Sequence, residues 1–492
     1  MKPESHSSGS SGALAVVLLL VALIGVLVVG FGLGFYLFLA RSETVHFTTS
    51  VTSVPPAAVS SIVEMPCEVL AKFPLSSLDI KDTLEAPVLA IDPQNNVVLA
   101  YASQTKSDER TLFIARTVPT DRRAFGQERE VRRTAIYSSV SQMQGKEVKR
   151  PVRLVPQLSA TGDRLLLGWL EPNAENTTVF YQLAESTDGG ETFGDSMRVH
   201  ASDGARPTFT ALVADEHGNI AASWLDRRAG VPQPFASLRV QGEAAFATEA
   251  QVYSSPEEKG ICPCCPTAAL LTPDGRVIVA FRNQLDGYRD IYLAERKLTG
   301  DEGFGEPQRV LADPTWKFDG CPHDGPSLAT DGQSLFVGWM DAHAGSPRCY
   351  VASRPLAGGA FSPPKTLPGD TAGNLKLAMD SSDTLHAVWE VTEPAKEELV
   401  ESTAEQKQDH DQAATGSSKA IYYATCWRNT WSDARALAPQ AGVFQSRPTI
   451  AVLNAGSPAT APPGAVRPGT AFVAWNELDE SGKNVVVVKV NY

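Results

Sequence analysis

Beyond residue 80 the chain alternates apolar and polar positions in short runs, and one kind of run ends on an aromatic residue again and again. It reads VVLAY to Tyr101, LLLGW to Trp169, IAASW to Trp224, VIVAF to Phe281, LFVGW to Trp339, LHAVW to Trp389 and AFVAW to Trp475. A period of two marks a strand with distinct faces, and no helical period of useful length competes with it here. Many of these runs follow another strand-like segment, such as APVLAID from Ala86, RPTFTALVAD from Arg206, GPSLATD from Gly325 or RPTIAVL from Arg447. Third and fourth segments follow in most copies. Four short alternating strands per unit, joined by turns that often hold Gly, predict an all-β propeller of four-stranded blades. The count predicts seven blades, or six if one copy is not independent. The aromatics are expected to fill the gaps between blades, the alternative being a ring of sugar-stacking platforms. The last unit stops at NVVVVKV without an outer strand. KFPLSSLDI, from Lys72 to Ile80, resembles the outer strands and is predicted to close the ring against it, which removes exposed sheet edges.

Two regions break the pattern. Residues 13–40 form an uncharged apolar run that ends at Arg41. About 20 such residues cross a hydrocarbon core, and this run is too long for a signal-peptide core, so an uncleaved membrane anchor is expected. The predicted organisation is a short tail (1–12), the anchor (13–40), a Ser/Thr/Pro-rich tether (41–71) and the propeller (72–492). A polar, charge-dense excursion occupies 391–418. Seven cysteines and the sequon at Asn176 suit an oxidising compartment, which places the propeller outside the cytoplasm, periplasmic or extracellular. The 43 basic and 56 acidic side chains give a net charge of -13 with no basic stripe, which excludes nucleic acid as a partner.

Strand connectivity then sorts the loops. In an up-and-down blade the turns after the first and third strands share one face. Loops after the second strand and connectors between blades share the other. The former are bland. The latter hold Gly260-Ile261-Cys262-Pro263-Cys264-Cys265-Pro266-Thr267 and Asp319-Gly320-Cys321-Pro322-His323-Asp324-Gly325-Pro326, connectors of adjacent units that the fold sets side by side near the central channel. Cys262, Cys264, Cys265, Cys321 and His323 are soft ligands suited to Cu(I) or Zn(II), and His343 could approach the same place. Disulfides among these cysteines, such as Cys321 to one of the other three, are the competing reading. Cys67, Cys349 and Cys426 leave further pairings open. The same face collects Arg153, Arg206 and Arg447 near inner-strand starts, and Glu171, Asp226, Asn283, Asp341 and Glu477 two residues past a strand-end aromatic. Such arginines can grip carboxylates bidentately, or these groups can pair with one another.

One turn carries a more specific signal. Ser186-Thr187-Asp188-Gly189-Gly190-Glu191-Thr192-Phe193 matches S-x-D-x-G-x-T-F, with Ser186, Asp188, Gly190 and Phe193 at the defining positions. This resembles the Asp-box of the sialidase superfamily (bacterial neuraminidase repeat), and residues 80–492 resemble a non-classical member of it. The resemblance implies a propeller whose Asp-box turns face away from the active site. It also implies exo-glycosidase chemistry: Arg206, Arg447 and Arg153 gripping an acidic sugar, Tyr288 as nucleophile, and Asp226 or Asp341 as acid. Active sialidases begin the propeller with aromatic-Arg-Ile-Pro, where this chain has Glu85-Ala86-Pro87. The expectation is therefore a membrane-anchored propeller binding a glycan or protein ligand on its loop-rich face, with a Cys/His cluster that is structural or metal-binding. Exo-glycosidase activity is the alternative.

Overall fold

The computed structural model describes residues 67–76, 86–118, 121–143, 146–151, 155–300, 302–393, 418–440, 442–453 and 469–492. The expected tail and anchor, most of the tether, Arg153 and the bulk of the 391–418 excursion lie outside them. The chain divides into Met1–Val63 and Glu64–Tyr492, and the second unit is the one described. It is all-β. Among the described residues no helix forms, and none is long and apolar enough to cross a membrane.

One sheet shows how the sequence builds each unit. Pro207–Ala214, Ile220–Asp226, Gln233–Arg239 and Thr248–Gln251 lie antiparallel in chain order, Ile220 opposite Arg239 and Asp226 opposite Gln233. The second strand, IAASWLD, is buried at every position because neighbouring units cover both its faces. Equivalent sheets start at Val88–Ile91, Gln157–Ala160, Ala268–Leu271 and Ser327–Thr330. A nine-stranded sheet holds two further antiparallel sets, one from Ala372–Met379 to Arg435–Leu437 and one from Phe444–Leu453 to Gly482–Asn491. The inner strands touch in succession, and Phe444–Leu453 touches Val88–Ile91, so their ring closes. A hairpin that the pattern did not foretell, Ser138–Met143 with Lys146–Pro151, lies between the first two units.

Closure uses the segment just before the first unit. Glu68–Pro74 runs antiparallel along Gly482–Asn491, Glu68 opposite Lys489 and Pro74 opposite Asn484. The closing strand is EVLAKFP, which begins four residues before the expected Lys72, and residues 77–80 of the expected segment lie outside the described residues. Phe73 is its buried anchor, 5.9 Å from both the Tyr101 and Phe125 rings, and Lys72 Nζ donates to Glu477 Oε1 at 2.5 Å. The excursion shrinks likewise, since strands run through Glu393 and resume at Ser418.

The core consists of clusters that each span two neighbouring units. Trp224 shares a cluster with Leu166 and Leu183 of the unit before it, Phe281 with Leu225, Trp339 with Ile278, Trp389 with Cys349, and Trp475 with Val388. Trp169 lies against Ile114, and Tyr101 closes the ring against Phe472. All are at most 3% exposed, so none is a platform for a sugar.

On the bland face, the Ser186–Phe193 turn is knit by its own polar groups. Gly190 N donates to Ser186 Oγ (2.7 Å), Thr192 N to Asp188 Oδ1 (2.9 Å) and Thr192 Oγ1 to Asp188 Oδ2 (2.6 Å). Gly189 and Gly190 take φ of 70° and 87°, which a Cβ would strain. Desolvation works against the Asp188 carboxylate, but hydrogen bonds from Thr192 and Ser186 outweigh it and bring the group to about 2. Arg116 and Arg129 of the preceding unit donate to the turn's carbonyls and pair with Glu191 at 2.9 and 2.7 Å, tying one unit to the next.

Candidate metal centre

A cavity of about 270 Å³ lies on the ring axis, with Val88, Gln157, Thr210, Ala268, Ser327, Lys376 and Thr449 each contributed by a different inner strand. The two cysteine-bearing connectors reach its wall through Pro266 and His323.

The first connector is pressed into place at Gly260, whose φ is 72° and where a Cβ would lie 2.3 Å from Pro232 O. Ile261 N donates to that carbonyl at 3.0 Å and Cys262 N to Arg282 O at 3.2 Å. The two connectors then meet at Gly325, where a Cβ would stand 2.2 Å from Pro266 O. Only glycine permits that approach. Arg282 binds the pair from behind. Its guanidinium is 1% exposed and donates to Asp324 O (3.0 Å), Arg289 O (2.7 Å) and Met340 O (2.7 Å). One residue thus holds the first connector by its carbonyl and the second by its side chain. Its signal in the sequence was a charged residue directly after the strand-end Phe281.

The donors converge as this scaffold requires. Cys262 Sγ lies 3.7 Å from Cys264 Sγ and 2.7 Å from Cys265 Sγ. Donor atoms of Cys262, Cys264 and Cys265 fall within 4.8 Å of one another, and so do those of Cys264, Cys321 and His323. Cys264 is the shared corner. The first three are buried and Cys321 is exposed. All seven cysteines are thiols in this structure. Hydrogen bonds from Cys264 and then Cys265 pull the Cys262 thiol far below its ordinary range, with Arg282 assisting. The bond to Cys262 pushes Cys264 up, and burial pushes Cys265 up. Cys67, Cys349 and Cys426 lie elsewhere, each raised by burial.

No protein-family model matches the chain, and no curated protein does. Among solved structures it is similar to a Hadza microbial sialidase at 14% identity and TM-score 0.39, covering 62% of this chain and 63% of that one. It is similar to the GH93 α-L-arabinofuranosidase of Fusarium graminearum at 11% identity and TM-score 0.42, covering 65% and 92%. The β-propeller domain of the Trilobed protease from Pyrococcus furiosus aligns at 5% identity and TM-score 0.42, over 83% and 97%.

Against that sialidase-type expectation, the charged groups of the loop-rich face scatter. Of the expected triad, Arg153 lies outside the described residues, and Arg447 lines the cavity, donating to His323 O (3.3 Å) and Asn374 Oδ1 (2.6 Å). Arg206 is exposed and turned to the carbonyls of Asp203 and Ala205. Tyr288 pairs through its backbone with Leu285 and Lys317, its ring 5.4 Å from Lys317 Nζ, and does not line the cavity. His343 bonds Asp341 and lies 5.0 Å from the Tyr350 ring, outside both donor groups.

The acidic positions have a use that sequence reasoning missed. The indole N–H of Trp169 reaches Glu171 (3.2 Å), Trp224 reaches Asp226 (2.8 Å), Trp339 reaches Asp341 (2.9 Å) and Trp475 reaches Glu477 (3.3 Å). Residues i and i+2 share a strand face, so the Trp-x-Asp/Glu spacing itself carried the signal. Asp226 also accepts from Arg228 at 2.6 Å and is 1% exposed. Desolvation opposes its charge, but Arg228 and Trp224 outweigh it and lower the carboxyl. Beside the cavity, burial raises Asp324 against the pull of Arg282 and lowers Lys376 against the pull of Asp324.

Proposed function

We propose that this is a seven-bladed sialidase-type propeller, anchored to a membrane by residues 13–40 and facing outside the cytoplasm, that binds a soft metal ion at the mouth of its channel. Cys264, Cys321 and His323 hold the ion. The observation that carries this is the convergence of two thiols and one imidazole from two connectors within 4.8 Å. Two thiolates and an imidazole are a donor set for Cu(I) or Zn(II). Three protein ligands leave a coordination position for a ligand arriving through the channel. The same face is where a glycan or protein partner would dock. The Ser186–Phe193 turn serves as the propeller's Asp-box, on the far side. Glycoside hydrolysis is the weaker reading, because Tyr288 stands outside the cavity that Arg447 lines and Asp226 and Asp341 are engaged by their tryptophans.

The test is competition for Cu(I) and Zn(II) between chromophoric chelators and the reduced full chain in detergent. One ion per chain is expected, with Cys321→Ser and His323→Ala each weakening it by about 100-fold or more, beyond what loss of a supporting contact does. Exposed Arg206→Ala should leave affinity unchanged. No retained ion, or affinity indifferent to both ligand variants, would overturn the proposal.

A further inference from the structure

The four sulfurs form a file from solvent to core. Cys321 is exposed, Cys264 is 6% exposed, Cys265 2% and Cys262 0%. Cys264 Sγ is within 4.8 Å of Cys321 Sγ and 3.7 Å from Cys262 Sγ, and Cys262 Sγ is 2.7 Å from Cys265 Sγ. Those distances separate two roles. Two thiolates on one tetrahedral zinc stand about 3.8 Å apart, given Zn–S bonds of about 2.3 Å. Cys262 and Cys265, at 2.7 Å, are well inside that spacing, whereas Cys262 and Cys264, at 3.7 Å, are close to it. The inner two also form a C-x-x-C pair, the spacing of redox-active dithiols.

We propose that Cys262 and Cys265 are a dithiol–disulfide couple that exchanges electrons with an external disulfide or thiol through Cys264 and Cys321. The Cys321 thiolate attacks one sulfur of an external disulfide RS–SR, and RS⁻ leaves. The Cys264 thiolate attacks Cys321 Sγ in the resulting mixed disulfide and expels the second RS⁻. The Cys262 thiolate then attacks Cys264 Sγ and frees Cys321, and the Cys265 thiolate attacks Cys262 Sγ and frees Cys264. The sum is RSSR plus two protein thiols giving 2 RSH plus the Cys262–Cys265 disulfide, with two electrons and two protons passed outward. Each step is ordinary thiol–disulfide exchange between neighbouring sulfurs. The couple shares Cys264 and Cys321 with the ion site proposed above but does not need the ion. In the oxidised state those two and His323 remain as the ligand set, while a bound ion occupies both outer sulfurs and blocks the file.

The experiment uses the full chain, reduced and stripped of metal with a chelator, exposed to oxidised glutathione and sampled by differential alkylation with peptide mapping. Cys262 and Cys265 should disappear together into one linked peptide, while Cys264 and Cys321 stay alkylatable. Cys321→Ser, at an exposed position, should slow that oxidation by about tenfold or more without changing the oxidised fraction at equilibrium. Prior saturation with Zn(II) should slow it in the wild type. Persistence of Cys262 and Cys265 as thiols, or a Cys264–Cys321 disulfide as the stable product, overturns the couple. An unchanged rate in Cys321→Ser overturns the route. Reloading the reduced and the oxidised samples with Zn(II) and measuring what each retains separates the two readings: a linked Cys262–Cys265 peptide with no ion bound in either redox state defeats the ion site and leaves the couple standing.

Discussion

The ends of the second strands and the connectors between units share the chemically rich face of the ring, and they spend their side chains in opposite ways. The second strands end with Glu171, Asp226, Asp341 and Glu477 in or near their last residues, and each carboxylate accepts its own strand's indole N–H. The connectors between units carry Cys264, Cys321 and His323, which turn toward one another. The difference is one of range. An acid two residues past a tryptophan shares its strand face whatever the rest of the fold does, so the pair is satisfied inside one blade. Groups on two connectors meet only when two blades are docked, and they remain available for chemistry between blades. Recurrent charge in a repeat protein is thus a guide to scaffold, and chemistry that appears in one pair of connectors is the guide to the site.

The largest expected effect comes from the residue that joins the two kinds of element. Arg282→Met removes three buried charge-assisted bonds and strands Asp324, so it should cost about 3–5 kcal/mol in denaturant unfolding and weaken metal binding as well. Trp224→Ala should cost a similar 3–5 kcal/mol or so through its cavity, yet leave the metal affinity of the surviving folded fraction intact. An effect of that variant on affinity would blur the division between scaffold and site. Gly325→Ala forces the connectors apart against Pro266 O. It should cost about 1–3 kcal/mol and reduce affinity more than its effect on stability suggests. Asp380, in a turn of the bland face, extends the comparison to pH. Burial works against its carboxylate, but bonds from His386, Tyr492 and the Thr384 and Ser382 amides prevail and bring it to about 2. Its folded value lies below its ordinary one. Its contribution, about 2 kcal/mol, is therefore present above pH 4 or so and lost as pH falls toward 2, and Asp380→Asn should flatten that part of the stability–pH curve. Smallest of all, Asp226→Asn should cost about 1–2 kcal/mol and not alter metal binding.

Much of this was legible in the residues because it is local or periodic. The strand-end aromatics and their interblade packing follow from period-two runs such as IAASW, and a closing strand was expected from the segment just before the first unit. Its register was not, because the choice of Glu68–Pro74 over Lys72–Ile80 depends on where Phe73 finds Tyr101 and Phe125. The meeting of the two connectors was expected from strand order. What lay beyond reach was the sorting within the cluster, with Cys262 against Cys265 and Cys264 at the corner, since ångström separations between sulfurs depend on Gly260, Gly325 and Arg282 acting together. The Trp-x-Asp/Glu pairing was in plain view, yet the residues alone left these acids open between gripping a ligand and pairing with other charged groups. Indole N–H donors call for a buried acceptor, and that demand identifies the acids' use.

The most direct test of the central claim, that two adjacent connectors build one thiol–imidazole site, is X-ray absorption at the metal edge on the full chain loaded with a single equivalent of Zn(II). The account predicts two sulfur ligands at about 2.3 Å and one imidazole nitrogen at about 2.0–2.1 Å, with one sulfur lost in Cys321→Ser and the nitrogen lost in His323→Ala. A shell made wholly of oxygen and nitrogen, or of three sulfurs with no imidazole, would contradict it.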